Sequence, residues 1–240
     1  MPIRWISATA TDQGPRRVMA DAAATGRDKT NRHHHLAWAV ADGIGDDYTP
    51  AHAAQDAAEI ASCAAAVGGA AYGIAAARRA LQYEYEGAPR GQEGDCVMVT
   101  AVPFPEDAGG GFDIAWVGDC RAYCVRDGAL HQETEDHTQG AAMRKSAHPW
   151  SREIASGYDH VVTRSVLRDS EIASVRIIGP VERLLLCTDG ASKVLPAEVI
   201  AEILTGTNSP SQAARALVAA ARARPRARDN IAVTVLMPRH

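Results

Sequence analysis

Runs of apolar residues, alternating or continuous and each bounded by Gly, Pro, Asn or Asp, recur along the chain and predict β-strands. These runs cover residues 3–9, 35–42, 96–104, 112–119, 121–127, 161–167, 173–179, 182–190 and 230–238. Ala-rich and amphipathic stretches predict helices over about 50–67, 70–86, 138–155, 196–204 and 211–224. Pro50 and Ser209-Pro210 suit helix starts, because proline is tolerated in the first turn.

The order of these elements favours an α+β fold. Two helices lie early and two late, separated by consecutive strands, so the strict βαβα order of a doubly wound parallel sheet is absent. Arg126-Asp127-Gly128, between two apolar runs, predicts a hairpin and therefore an antiparallel sheet. No linker or repeat divides the sequence, and we expect a single domain over residues 1–240.

Composition excludes several classes of protein. The net charge of −4 argues against nucleic-acid binding, and no apolar run approaches the roughly 18 to 20 residues of a membrane span. The N-terminus lacks an export signal, so we expect a cytoplasmic protein with no membrane partner, most simply a monomer. The five cysteines are interpreted as reduced, packed thiols, and a cysteinyl-phosphate mechanism is not expected. The run His33–His35 is interpreted as a solvated loop.

Four acidic residues lie at the ends of predicted strands, next to Gly or Asn: Asp42, Asp119, Asp189 and Asp229. Any one of them alone fits an ordinary Asp-Gly turn. Four such carboxylates on rigid strand ends, however, would form a pocket of hard oxygen ligands suited to Mg²⁺ or Mn²⁺. The repetition therefore favours a metal site.

Five segments also resemble a known family, in order and spacing. They are AVADGIGDD, GDC at 94–96, WVGDCRAYCVRDGALHQETEDHT, ERLLLCTDGASKVL and RDNIAVTVL. They are similar to motifs of the PP2C-type (PPM) metal-dependent serine/threonine protein phosphatases, and Trp116–Thr138 is the most specific stretch. The resemblance covers nearly the whole chain and suggests a small bacterial member. It implies a four-layer α-β-β-α sandwich, two antiparallel sheets flanked by helices, acting on phosphorylated proteins.

The resemblance also implies a set of metal ligands, with Mn²⁺ or Mg²⁺ as the cofactor. Asp42 matches the carboxylate that bridges two ions, and the Gly43 carbonyl matches a ligand of one of them. Asp189 and Asp229 match ligands of the other ion. Asp119 matches the position that helps to hold a third, weaker ion in bacterial relatives.

Upstream, GPRRVMADA resembles the Arg-containing N-terminal motif of the family. This match places Asp21 near the metals through water and makes Arg16 the phosphate-binding residue, with the adjacent Arg17 as the alternative. Two divalent ions about 4 Å apart lower the pKa of a shared water and hold phosphoryl oxygens, so no protein nucleophile is needed.

Three positions depart from the family pattern: Ala20 replaces an acidic or amide residue, Asp46 a glycine, and Ile44 the histidine of some animal relatives. Ala20 and Asp46 motivate a second hypothesis, a weak or inactive PP2C-like regulatory module. A third hypothesis is a hydrolase of small phosphoesters on the same fold. His137 is interpreted as structural, and Asp95 has no assigned role.

Overall fold

The computed structural model describes residues 4–28, 36–89, 91–105, 109–168, 171–225 and 227–239, so His33–His35 lie outside the described residues. The strands are β1 (Arg4–Asp12), β2 (Asp21–Arg27), β3 (Leu36–Gly43), β4 (Cys96–Pro103), β5 (Gly111–Val117), β6 (Arg121–Arg126), β7 (Ala129–Gln132), β8 (Ala173–Ile178), β9 (Arg183–Cys187) and β10 (Ile231–Arg239). The helices are α1 (Tyr48–Gly68), α2 (Ala70–Glu84), α3 (Gln139–Arg144), α4 (Pro149–Ile154), α5 (Asp189–Ser192), α6 (Ala197–Thr205) and α7 (Pro210–Arg222).

The strands form two five-stranded sheets with the orders β1-β10-β9-β6-β7 and β2-β3-β4-β5-β8. Every pair of neighbouring strands is antiparallel. The predicted hairpin joins β6 to β7, where Asp127 and Gly128 have φ of 51° and 71°. Positive φ at both central residues is the type I′ geometry that matches the twist of paired strands.

The two sheets lie between two layers of helices. Trp38, Phe112 and Leu184 belong to the apolar core between the sheets. Helices α1 and α2 cover the outer face of the β2-β3-β4-β5-β8 sheet, and α6 and α7 cover the outer face of the other sheet. This arrangement confirms the predicted α+β four-layer sandwich.

Strand β9 explains why some predicted strands have no polar alternation. Leu184 and Leu186 pack into the core between the sheets, whereas Leu185 and Cys187 pack against the helices on the outer face. Both faces of the strand are therefore buried, and a continuous apolar run results.

The structure differs from the sequence-based expectations in three places. Strand β2 was missed, because its sequence DAAATGR lacks the β-branched and aromatic residues typical of strands. Residues 161–167 were predicted as a strand but form a loop with one isolated bridge, between Thr138 and Val162. The predicted helix over 138–155 is divided into α3, α4 and the beginning of a short 3₁₀ turn.

Gly26 in β2 allows the close approach of α1. A Cβ atom on Gly26 would lie 2.1 Å from the backbone carbonyl of Ser62 in α1. We expect Gly26→Ala to destabilise the protein by about 1 to 3 kcal/mol, the usual effect of overpacking.

Urea denaturation of the metal-free protein checks this expectation. Gly157→Ala is the matched control, since a Cβ there would meet nothing within 4 Å. Equal unfolding midpoints for the two variants would contradict the close contact between β2 and α1.

Candidate metal centre

Two of the predicted site residues are direct partners in one sheet. Asp42 lies near the end of β3 and is paired with Asp21, the first residue of β2. Gly43 follows Asp42, and its N–H donates to the carbonyl of Ala20 at 3.0 Å. A Cβ on Gly43 would lie 2.5 Å from the carbonyl oxygen of Pro50, so the glycine allows a close backbone contact here.

Asp189 and Asp229 come from neighbouring strands of the other sheet. Asp189 begins α5 directly after β9, and Asp229 precedes β10. The two segments are in contact, because a Cβ on Gly190 would lie 1.9 Å from the carbonyl oxygen of Asn230. Backbone contact between the Asp-Gly and Asp-Asn turns holds both carboxylates at the same end of the sheet.

A buried threonine joins the two halves of the site. The Thr188 hydroxyl donates to Oδ2 of Asp21 at 2.7 Å, and the N–H of Ala232 donates to the same hydroxyl oxygen at 3.0 Å. Thr188 follows β9 in one sheet, and Asp21 begins β2 in the other. The ends of both sheets therefore meet at the carboxylates.

The electrostatics show how closely the carboxylates are grouped. Burial raises the pKa of Asp42 well above its ordinary value, and the charges of Asp21, Asp189, Asp119 and Asp229 act in the same direction. Burial likewise raises the pKa of Asp21 to about 8, against the opposing hydrogen bond from Thr188. Both shifts show that burial and neighbouring carboxylates disfavour the ionised forms unless positive charge is supplied.

Two basic side chains reach these carboxylates. Arg16 donates to Oδ2 of Asp229 at 2.7 Å, and Lys193 donates to Asp189 and Asp119. The side chains of Arg16 and Asp229 remain 35% and 40% exposed, so this part of the site is open to solvent.

The loop that carries Arg16 is fixed by contacts with Asp46 and Asp47, which lie between β3 and α1. Oδ1 of Asp46 accepts hydrogen bonds from the N–H groups of Arg17 and Val18, at 3.0 and 3.3 Å. The Arg17 guanidinium points away and pairs with Asp47, with 64% of each side chain exposed. Of the two adjacent arginines, Arg16 is therefore the one that contacts a carboxylate of the site.

Ala20 contributes to the site through its backbone. Its carbonyl accepts from Gly43, and its N–H donates to Oδ1 of Asn230 at 2.8 Å. The Asn230 amide also donates to the carbonyl of Gln13 at 2.7 Å. Asn230 thus ties the N-terminal segment to the turn that carries Asp229.

The donor set fits hard divalent cations. Five carboxylates, against one lysine and one arginine, leave excess negative charge, and oxygen ligands of this kind suit Mn²⁺ or Mg²⁺. Among the described residues, no group of three or more His, Cys, Asp or Glu side chains is already arranged to hold an ion. In this arrangement Asp229 pairs with Arg16, and Asp119 and Asp189 pair with Lys193.

Asp95 and His137 contact structural partners. The Asp95 carboxylate accepts from the Ser165 hydroxyl at 2.6 Å and from the N–H of Leu167 at 3.0 Å, which fixes the loop between α4 and β8. Nδ1 of His137 accepts from the N–H of Gly118 at 3.1 Å, and its ring stacks on Trp116. Burial, assisted by Arg164, lowers the pKa of His137 to about 4, so the ring is neutral.

Cys120 and Arg126 have the Cys-x5-Arg spacing of cysteinyl phosphatases, but not the structure of their phosphate loop. The pair spans strand β6, Cys120 is 1% exposed, and burial raises the pKa of its thiol. Arg126 donates to Glu133 at 2.8 Å. A buried thiol held in its neutral form is a poor nucleophile. The interpretation of the cysteines as packed thiols fits the four buried ones, whereas Cys63 is exposed.

Sequence reasoning missed three polar residues that organise the site: Thr188, Asn230 and Lys193. Each lies within four residues of a strand-end aspartate. Their adjacency to Asp189 and Asp229 was the available signal, but the partners they contact come from distant segments.

Comparison with known proteins identifies the class to which this fold corresponds. No protein-family model matches the chain, and no curated protein sequence matches it. Solved structures of phosphatases do match the chain. The PPM Ser-Thr phosphatase MsPP from Mycobacterium smegmatis shares 26% identity over 97% of both chains, with a TM-score of 0.75.

The chain is also 25% identical to the Mycobacterium tuberculosis serine/threonine phosphatase PstP/Ppp over 100% of both chains, with a TM-score of 0.71. The catalytic domain of PstP in complex with 2 manganese ions shares 23% identity over 100% of both chains, with a TM-score of 0.75. The fold is that of the PPM, or PP2C-type, serine/threonine phosphatases, and the resemblance seen in the motifs is confirmed.

Proposed function

We propose that this chain is a Mn²⁺- or Mg²⁺-dependent phosphatase that hydrolyses phosphoserine and phosphothreonine in proteins. The observation that carries the proposal is the meeting of Asp21, Asp42, Asp189 and Asp229 at one end of both sheets, beside Arg16. The similarity to phosphatases over the full chain supports it, as does the manganese in the PstP structure.

The family resemblance implies a role for each residue, and the position of each residue supports that role. Asp42, within electrostatic reach of the other four carboxylates, would bridge two ions, together with the Gly43 carbonyl, Asp189 and Asp229. When bound, two such ions lower the pKa of a shared water and neutralise phosphoryl oxygens. Asp21 would act through water, because Thr188 already engages one of its oxygens.

Arg16 would bind the phosphate. Its guanidinium lies beside Asp229, at the solvent-exposed side of the site, and can donate two parallel hydrogen bonds to a phosphoryl group. The bonds from Asp46 to the Arg17 and Val18 backbone hold the loop in place. Asp46 therefore supports the site rather than damaging it, which favours an active enzyme over a regulatory module.

The exposed arginine of the site also indicates the kind of substrate that the proposed enzyme would bind. The substrate would be a phosphorylated protein, since an exposed arginine beside the carboxylates can meet a phosphate on a protein surface. Among the described residues, no helix is long and apolar enough to cross a membrane. We propose a monomeric, cytoplasmic enzyme that requires no nucleic acid.

A substrate panel with Mn²⁺ tests the proposal and separates it from the small-phosphoester hypothesis. The panel contains phosphothreonine and phosphoserine peptides, an aryl phosphate and a sugar phosphate. We expect release of phosphate from both peptides, with kcat/KM above that for the sugar phosphate. Hydrolysis of the sugar phosphate alone would favour the small-phosphoester hypothesis. No hydrolysis of any substrate would favour the hypothesis of a regulatory module.

A further inference from the structure

The ammonium group of Lys193 is bound entirely by acceptors at the edge of the candidate metal centre. Nζ lies 2.5 Å from Oδ2 of Asp119, 2.9 Å from Oδ2 of Asp189 and 2.9 Å from the carbonyl oxygen of Asp159. An ammonium has three N–H donors, and here each donor has an acceptor.

Lys193 links carboxylates from two separate turns. Asp119 lies in the turn between β5 and β6, and Asp189 follows β9, the strand that pairs with β6. Both partners are well covered, since the side chains of Asp119 and Asp189 are 4% and 21% exposed. A charge in such a position is stable only with a counter-ion close by.

The same residue supplies positive charge to its surroundings. An ammonium is charged at neutral pH, and its hydrogen bond to Asp119 places a counter-ion directly on that carboxylate.

The use of lysine at this position is unusual for the chain. Lysine stands at three positions only, 29, 145 and 193, among 25 Lys and Arg residues. Lys145 pairs with Glu135 at the surface, where the two side chains are 67% and 57% exposed. An ammonium is a compact point charge, closer in shape to a metal ion than the planar guanidinium of arginine.

We propose that Lys193 is a built-in cation that occupies the place of a divalent ion beside Asp119. Divalent ions would then bind only at Asp21, Asp42, Asp189 and Asp229, and the family-implied third ion at Asp119 is replaced by this ammonium. The inference rests on the proposed metal centre and limits it to two ions.

Counting bound Mn²⁺ tests the inference without measuring catalysis. Equilibrium dialysis with elemental analysis is applied to the wild type, Asp119→Asn, Lys193→Met and the surface control Lys145→Met. We expect about two Mn²⁺ per chain in the wild type, as in other two-metal sites. Asp119→Asn and Lys145→Met should leave this number unchanged. Lys193→Met frees Asp119 and should bind one further, weaker ion.

Each other outcome has a defined meaning. Three ions in the wild type, or loss of one ion in Asp119→Asn, would overturn the inference and leave the proposed phosphatase intact. A folded Lys193→Met that binds no further ion would also overturn it. If Lys193→Met does not fold, the comparison of wild type with Asp119→Asn decides. A wild type that binds no Mn²⁺ would overturn the inference and the metal centre together.

Discussion

We expect the replacement of Asp42 by Asn to reduce kcat/KM for a phosphothreonine peptide by about 10³-fold or more, because the proposed bridging carboxylate would set the position of both ions. Stabilisation of transition-state charge by metal ions is worth several kcal/mol, and each 1.36 kcal/mol corresponds to a factor of about ten. The measurement is steady-state hydrolysis at saturating Mn²⁺. Asp42 is the residue on which four other carboxylates act.

Asp119→Asn is the matched control for this prediction, since it is the same substitution at another strand end. Because Lys193 already engages Asp119, we expect a decrease of at most about tenfold. Metal-free Asp42→Asn should unfold at no lower temperature than the wild type, since the amide removes repulsion from the surrounding carboxylates. Equal losses of activity in the two variants would show that the ligand roles are wrongly assigned.

Arg16→Ala is expected to reduce kcat/KM by about 10- to 100-fold. A hydrogen bond to a charged group contributes about 1.5 to 3 kcal/mol, and a phosphate clamp loses at least one of them in this variant. Arg16→Lys should recover only part of the loss, because an ammonium cannot donate the two parallel bonds of a guanidinium. The same peptide assay measures both variants.

Arg17→Ala is the neighbouring control. Arg17 pairs with Asp47 at the surface, and exposed ion pairs contribute about 0 to 1 kcal/mol. We expect kcat/KM to stay within about fivefold of the wild type. A larger loss in Arg17→Ala than in Arg16→Ala would assign phosphate binding to Arg17.

The fold was predictable from sequence where burial produces a clear pattern. Strand β9 reads as a continuous apolar run because both of its faces are covered, and the β6–β7 turn reads as Asp-Gly because both central residues need positive φ. Strand β2 was not predictable in this way. Its composition is dictated by the approach of α1 to Gly26, a contact between segments that the local pattern does not reveal.

In the candidate site, too, some residues were predictable from the sequence and others were not. The strand-end aspartates were visible because each follows or precedes an apolar run. Asp42, Asp189 and Asp229 interact electrostatically with Asp21, and their sharing of a metal centre stays a prediction. Lys193 was overlooked because its partner Asp119 lies 74 residues away in sequence. The departure at Asp46 became interpretable only when its carboxylate was found to hold the loop beside Arg16.

Metal-dependent hydrolysis is the central claim, and one measurement tests it most directly. Wild-type protein is stripped of metal with a chelator, and phosphate release from a phosphothreonine peptide is followed during titration with Mn²⁺, with Asp42→Asn in parallel. The account predicts no release without metal, full release as Mn²⁺ is restored, and a rate at least about 10³-fold lower in Asp42→Asn. Release that is independent of Mn²⁺, or equal in the two proteins, would contradict it.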